Sequence, residues 1–244
     1  MSRQASDAAR VAAVAGGLGL AAGHNAAVHR VLPGRMHLPA NLALALAELA
    51  LARGRGAGLA DLGLAPGRLP GGVALGTRVG LVAAGAVALA AAVPATAGLF
   101  YDERVAGHDR AAARYEALLR IPIATALAEE LVFRAALPAL ISGGPPALVS
   151  DLVSAAWFGA WHVLPTVDAL GTNRVAARAQ RLGHRLAAVG GVVAATTLAG
   201  LGFAWLRRRS ASIAAPVLVH TAVNLSAYGF SRLRARRSEA TPVP

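Results

Sequence analysis

The chain has 244 residues, 56% of them hydrophobic and only 15% charged, with a formal net charge of +12. Soluble domains carry about 45–50% apolar and about 25% charged residues, so these proportions exclude an ordinary soluble domain and indicate an integral membrane bundle. Cysteine is absent, which excludes disulfides, thiolate metal sites and a cysteine nucleophile.

The apolar residues come in runs of membrane-spanning length, about 17–25 residues each. Seven spans are predicted within a range of six to eight, giving an all-α polytopic bundle. In chain order they cover Ala8–Val31, Leu38–Ala52, Val73–Phe100, Leu118–Ile141, Pro146–Leu164, Leu186–Leu206 and Ala211–Phe230. The second is short enough to be interfacial or re-entrant. Arg3 and Arg10 ahead of an apolar run give the N-terminus a signal-peptide look. His24 and Asn25 interrupt that run, however, and no small-x-small cleavage site follows, so an uncleaved first helix is expected.

The connections read as loops. Gly54–Gly72 is rich in Gly, Pro and Arg, and Phe100–Arg114 mixes both charge signs. Gly143-Gly144-Pro145-Pro146 is expected to make a tight turn between antiparallel spans. Thr172–Arg185 is an arginine-bearing loop, and Ser238–Pro244 is expected to fray. All the basic residues are arginines, and they cluster between spans and near the C-terminus. That distribution suits lipid head groups and orientation rather than nucleic acid, which is not expected as a partner. Their balance favours a cytoplasmic C-terminus.

Three apolar spans contain polar residues that membrane helices rarely carry, and an ionisable group at bilayer depth is a functional-site hypothesis by default. In the fourth span, Glu130 and Arg134 are four residues apart and share a helix face, so they can pair. Glu129 is rotated away by about 100°. It is thereby left available as a general base. In the fifth span, Phe158 and His162 share a face. In the seventh, His220 and Asn224 do the same and could donate together to one oxyanion. Each pair alone is compatible with a buried staple between helices. Together they supply a carboxylate base, an imidazole to polarise water and two oxyanion donors, the parts needed to hydrolyse an amide without a covalent intermediate. A divalent metal such as zinc is an alternative, with Glu129, His162 and His220 as candidate ligands. The spacing is not that of the HExxH metalloprotease helix.

These residues form EExxxR, FxxxH and HxxxN in order on successive spans. In this the chain resembles the CAAX prenyl endopeptidase and bacteriocin-processing (CPBP) family of intramembrane proteases, which also includes abortive-infection proteins. Leu59-Ala-Asp-Leu-Gly-Leu64 and the approach from Trp205 to His220 are similar to the family as well, and the resemblance covers about residues 118–226. It implies that Glu129 activates water together with His162, that His220 and Asn224 stabilise the oxyanion, and that Glu130, Arg134 and Phe158 support them. It leaves metal dependence open.

The expected organisation is N-terminal membrane helices over 1–114, a protease core with four catalytic helices over 115–230, and a basic tail over 231–244. The expected function is an intramembrane endopeptidase of a bacterial plasma membrane, acting on a membrane-associated or lipidated polypeptide. The alternative is a non-catalytic immunity or scaffold protein that keeps the polar core for structure. A transporter is less favoured, because no inverted repeat of the polar segments is present.

Overall fold

Proline and glycine punctuate the chain where its apolar runs end. The computed structural model describes residues 3–100, 102–143, 146–170 and 182–240, and among these no strand occurs. Helix α1 runs Arg3–Arg30 and α2 runs His37–Gly54. Helix α3, Leu69–Ala92, carries a proline in its first turn and stops before Pro94. The third span was expected to reach Phe100. Instead Val93 is extended (φ −73°, ψ 124°), because a proline disfavours helical backbone in the residue before it.

Helix α4 is a rod over 110–141 whose pitch changes four times. It is α-helical over Arg110–Tyr115, wide π-helix over Glu116–Leu127, α-helical over Ala128–Glu130, wide over Leu131–Ala136, and α-helical over Leu137–Ile141. Pro122, which has no N–H to donate, lies in the first wide stretch. Wide turns inside helices frequently mark functional sites. Four helices follow: α5 (Ala147–Trp161), α6 (Val163–Leu170), α7 (Leu182–Ser210) and α8 (Ala214–Ala240).

The predicted arginine loop lies, over 172–181, outside the described residues, as do Gly144 and Pro145 of the predicted turn. The tail was expected to begin at 231 and to fray from Ser238. Helix α8 continues through Ala240, and 241–244 lie outside the described residues. One physical reason is on view: Arg232 of this extension donates to the carbonyl of His108 and fastens it to the bundle.

Among the described residues four helical stretches are long and apolar enough to cross a membrane: Asp7–Arg30, Pro66–Ala92, Ala147–Leu170 and Gly183–Ser210. Helices α2, α4 and α8 are more polar and hold five buried ionisable residues, Glu48, Glu129, Glu130, Arg134 and His220, while Asp151 is buried on α5. The core places Phe133 and Leu137 of α4 against Phe158 of α5, Phe203 and Leu206 of α7 and Val219 of α8, with Leu44 and Ala45 of α2 on the other side.

Small residues set the helix spacing. Gly72, Gly76 and Gly80 form a stripe on α3 that faces α8, and a Cβ on Gly76 would lie 2.9 Å from the Cα of Ala215. On α5, a Cβ on Gly159 would lie 2.8 Å from the Val193 carbonyl of α7. Such close backbone approach is how membrane helices gain packing energy when lipid offers no hydrophobic drive.

Candidate active site

Glu129 and Glu130 occupy the one α-helical turn between the two wide segments of α4. Successive side chains there are rotated by about 100°, so the carboxylates diverge. Glu130 is fully buried; its Oε2 lies 3.2 Å from Arg134 Nε and its Oε1 3.0 Å from His220 Nδ1. Glu129 accepts a hydrogen bond from Trp161 Nε1 at 3.2 Å, and its Oε2 lies 3.9 Å from His220 Nε2. The predicted Glu130–Arg134 pair is therefore present. Glu129 is less free than its helical position suggests: one oxygen is tied to an indole, and the other faces an imidazole.

Arg134 is buried, and its guanidinium stacks 4.2 Å over the ring of Phe158 and 5.2 Å from that of Phe203. Aromatic faces attract a desolvated cation by their quadrupole, which helps hold a charge that has left water. Gly200 leaves room for this cation, since a Cβ there would lie 3.2 Å from its Nη2. Phe158 is also the hub of the rings. It meets His162 edge-on at 4.6 Å and His220 at 6.0 Å, while Phe203 stacks on His220 at 5.2 Å with 18° between planes. The FxxxH phenylalanine thus orients both imidazoles and the guanidinium.

His162 stands at the junction of α5 and α6 rather than within a continuous helix. Its Nδ1 lies 2.7 Å from the carbonyl oxygen of Phe158. A carbonyl only accepts, so Nδ1 carries the proton and Nε2 keeps its lone pair for another partner. Asn224 is half-buried one turn beyond His220 on α8 and makes no hydrogen bond among the described residues. The structure therefore gathers Glu129, Glu130, Arg134, Phe158 and His220 into one contact set, with His162 packed on its aromatic rim. It does not join Asn224 to His220 by a shared bond. His220 is instead engaged by the two carboxylates.

Beside Glu129 is a cavity of about 10 Å³, bordered by Asn41, Trp161 and Phe133. One water needs about 10–15 Å³, so the space suits a single water against the carboxylate. Its polar walls come partly from residues outside the three motifs. Asn41 Nδ2 donates to the Ala124 carbonyl at 2.8 Å, and its Oδ1 lies 2.8 Å from His24 Nε2. His24 stacks on Trp161 with 7° between planes, and Asn25 Nδ2 donates to the Trp161 carbonyl at 2.9 Å. Sequence reasoning missed Asn41 and Trp161 as site residues. Asn41 carried the same signal as the motifs, a polar group in an apolar run. Trp161 carried none, because only the fold shows where its N–H points.

Residues 113–226 match the family model described as type II CAAX prenyl endopeptidase Rce1-like. Over this stretch, a little under half of its length, the chain is similar to that family. No curated protein and no solved structure matches the chain. The match begins within a few residues of where the motif resemblance begins and ends at the same residue, and it spans α4, α5, α6 and α7 and the first half of α8. Four helices long and apolar enough to cross a membrane, together with this similarity to a CAAX protease-type family, point to a multi-pass membrane protein.

The candidate zinc ligands Glu129, His162 and His220 were tested against this geometry. Among the described residues no three His, Asp or Glu side chains converge as a metal site. Glu129 and His220 approach each other, but His162 turns its Nδ1 to the Phe158 carbonyl and adds no third ligand to them. The site as arranged here does not fit a three-ligand zinc centre.

Proposed function

We propose that this protein is an intramembrane endopeptidase that hydrolyses a peptide bond of a membrane-associated or lipidated polypeptide. The observation that carries the reading is the Glu129 carboxylate on a cavity of single-water size, inside the stretch similar to the Rce1-like family. Glu129 accepts the proton of the attacking water, and His162 helps polarise that water through Nε2. His220, whose Nδ1–H is engaged by Glu130, donates to the developing oxyanion when Nε2, 3.9 Å from Glu129, also carries a proton, and the amide of Asn224 donates beside it. Glu130, Arg134 and Phe158 hold His220 in place. The proton on Glu129 then passes to the leaving amine, which closes the cycle without a covalent intermediate.

The same reading takes the seven long helices α1, α2, α3, α4, α5, α7 and α8 as seven spans, with the catalytic unit over 115–230. It places the protein in a bacterial plasma membrane. Burial supports this count: Glu48, Glu129, Glu130, Arg134 and His220 of the three polar helices lie inside the bundle.

The test is membrane proteomics on cells carrying wild-type or Glu129→Gln protein at equal abundance, followed by cleavage of the accumulating polypeptide by purified enzyme. The expected result is one polypeptide left unprocessed by Glu129→Gln. Full cleavage by purified Glu129→Gln sinks the reading. A scaffold role predicts instead that Glu129→Gln and His162→Ala retain full biological activity whenever they accumulate.

A further inference from the structure

At the end of the bundle remote from His162 lies a cavity of about 410 Å³, built where α2 and α4 end, α5 begins and α7 ends. Its walls include four arginines, Arg55, Arg134, Arg207 and Arg208, against two carboxylates, Asp61 and Asp151. Ser150 of this cavity stands about 18 Å from His162 along α5 at 1.5 Å per residue, so the cavity lies on the far side of Arg134, the residue it shares with the candidate active site.

The two carboxylates are already occupied. Asp151 pairs with Arg208, and Asp61 accepts from the backbone N–H of Gly58 at 2.8 Å. The guanidiniums are not matched in the same way. Arg134 has five N–H donors, yet its side chain is only 1% exposed and none of its nitrogens has an aligned hydrogen-bond acceptor. Its ion pair with Glu130 meets the distance of a bond without the alignment of one. Arg207 Nη2 donates to the carbonyls of Ala60 and Asp61, which leaves its buried Nε without a partner. Ser150, in the first turn of α5 and 2% exposed, also has an unpartnered hydroxyl on this cavity. Buried donors without acceptors are rare and costly in folded proteins. Here three of them, all of which can donate to an oxyanion, line one basic cavity.

We infer that this cavity is a binding site for a phosphate oxyanion, as carried by the headgroup of an anionic phospholipid or free in solution. The phosphate accepts from Arg134 and Arg207, Ser150 donates from the start of α5, and exposed Arg55 closes the open side. Arginine suits this task because its planar fork gives paired bonds to phosphate oxygens. The helix start adds its positive dipole end. The Leu59–Leu64 segment contributes Asp61 to the lining and is itself clamped by Arg207. Gly63 is left-handed there (φ 69°), and a Cβ on it would overlap that guanidinium.

This site shares Arg134 with the candidate active site, but its test reads binding alone, so its failure and that of the catalytic reading are distinguishable. The full-length protein is purified in detergent with phosphatidylglycerol or phosphatidylcholine added, and retained lipid is counted by native mass spectrometry. Inorganic phosphate is titrated in parallel by calorimetry. Retention of one phosphatidylglycerol over phosphatidylcholine, unaffected by millimolar phosphate, assigns the site to a lipid headgroup. Phosphate binding with no lipid preference assigns it to the free ion. In either case Arg55→Gln and Ser150→Ala weaken binding about tenfold, the loss of one charge-assisted hydrogen bond. Arg55 is exposed, so Arg55→Gln keeps the fold, as an unchanged melting temperature checks. No binding of either probe overturns the inference. Equal binding by wild type and Arg55→Gln also overturns it, since the ligand then sits elsewhere.

Discussion

His220 reaches Glu130 across ninety residues of sequence, with Nδ1 3.0 Å from Oε1 and both side chains buried. The same carboxylate lies 3.2 Å from Arg134 Nε on its other oxygen, so one fully buried group pairs with a guanidinium of α4 and an imidazole of α8. Such a group is held by its partners, and its partners by it. Removing one member strands the rest in a medium that cannot solvate them.

Glu130→Ala is therefore expected to destabilise the protein by about 3–5 kcal/mol, because it leaves the Arg134 guanidinium buried without its carboxylate. The double change Glu130→Gln with Arg134→Met removes both charges and is expected to recover most of that loss. Thermal unfolding of the purified variants in detergent measures both. Equal melting temperatures for wild type and Glu130→Ala would contradict the assignment.

Trp161→Phe deletes the indole N–H that Glu129 accepts while keeping a ring against Phe133, 5.5 Å away. Stability should change by about 1 kcal/mol or less, the net worth of one ordinary hydrogen bond. Cleavage should fall more, about tenfold in kcat, because the carboxylate loses the bond that aims it. A parallel loss in melting temperature and activity would mark Trp161 as packing only.

Asn224 makes no hydrogen bond among the described residues, so Asn224→Ala should leave the melting temperature within about 0.5 kcal/mol of wild type. If its amide meets the oxyanion, kcat falls about 100-fold with little change in KM. Steady-state kinetics on the identified substrate separates the two effects. An unchanged kcat removes Asn224 from the catalytic set.

The glycine stripe of α3 predicts a contrast between two alanine substitutions. Gly76→Ala drives a Cβ to 2.9 Å from the backbone of Ala215 and should cost about 1–3 kcal/mol by overpacking. Gly85→Ala, on the same helix with nothing within 4 Å, should be neutral or stabilise by about 0.5–1 kcal/mol. Melting temperatures of the two variants, measured side by side, decide this. Equal effects would mean that α3 and α8 do not meet as described.

Composition and run length were enough to read the all-helical membrane class, since apolar surplus is a property of the whole chain and does not depend on packing. Spacing was enough to pair Glu130 with Arg134, because residues four apart meet within one helix whatever surrounds it, even where α4 widens. The motif order led to the kind of family whose model residues 113–226 match. The limits of helical spacing show at Glu129 and His220. A helix face says which side chains point together, but not what stands opposite, and the bond from Trp161 and the bridge from His220 to two carboxylates come from other helices. Only the tertiary structure brought Asn41 of α2 and the basic cavity at the far end of α5 into view. The reason is physical: contacts inside one helix follow from residue spacing, whereas contacts between helices depend on crossing points set by small residues such as Gly76 and Gly159, whose effect is felt only when two backbones meet.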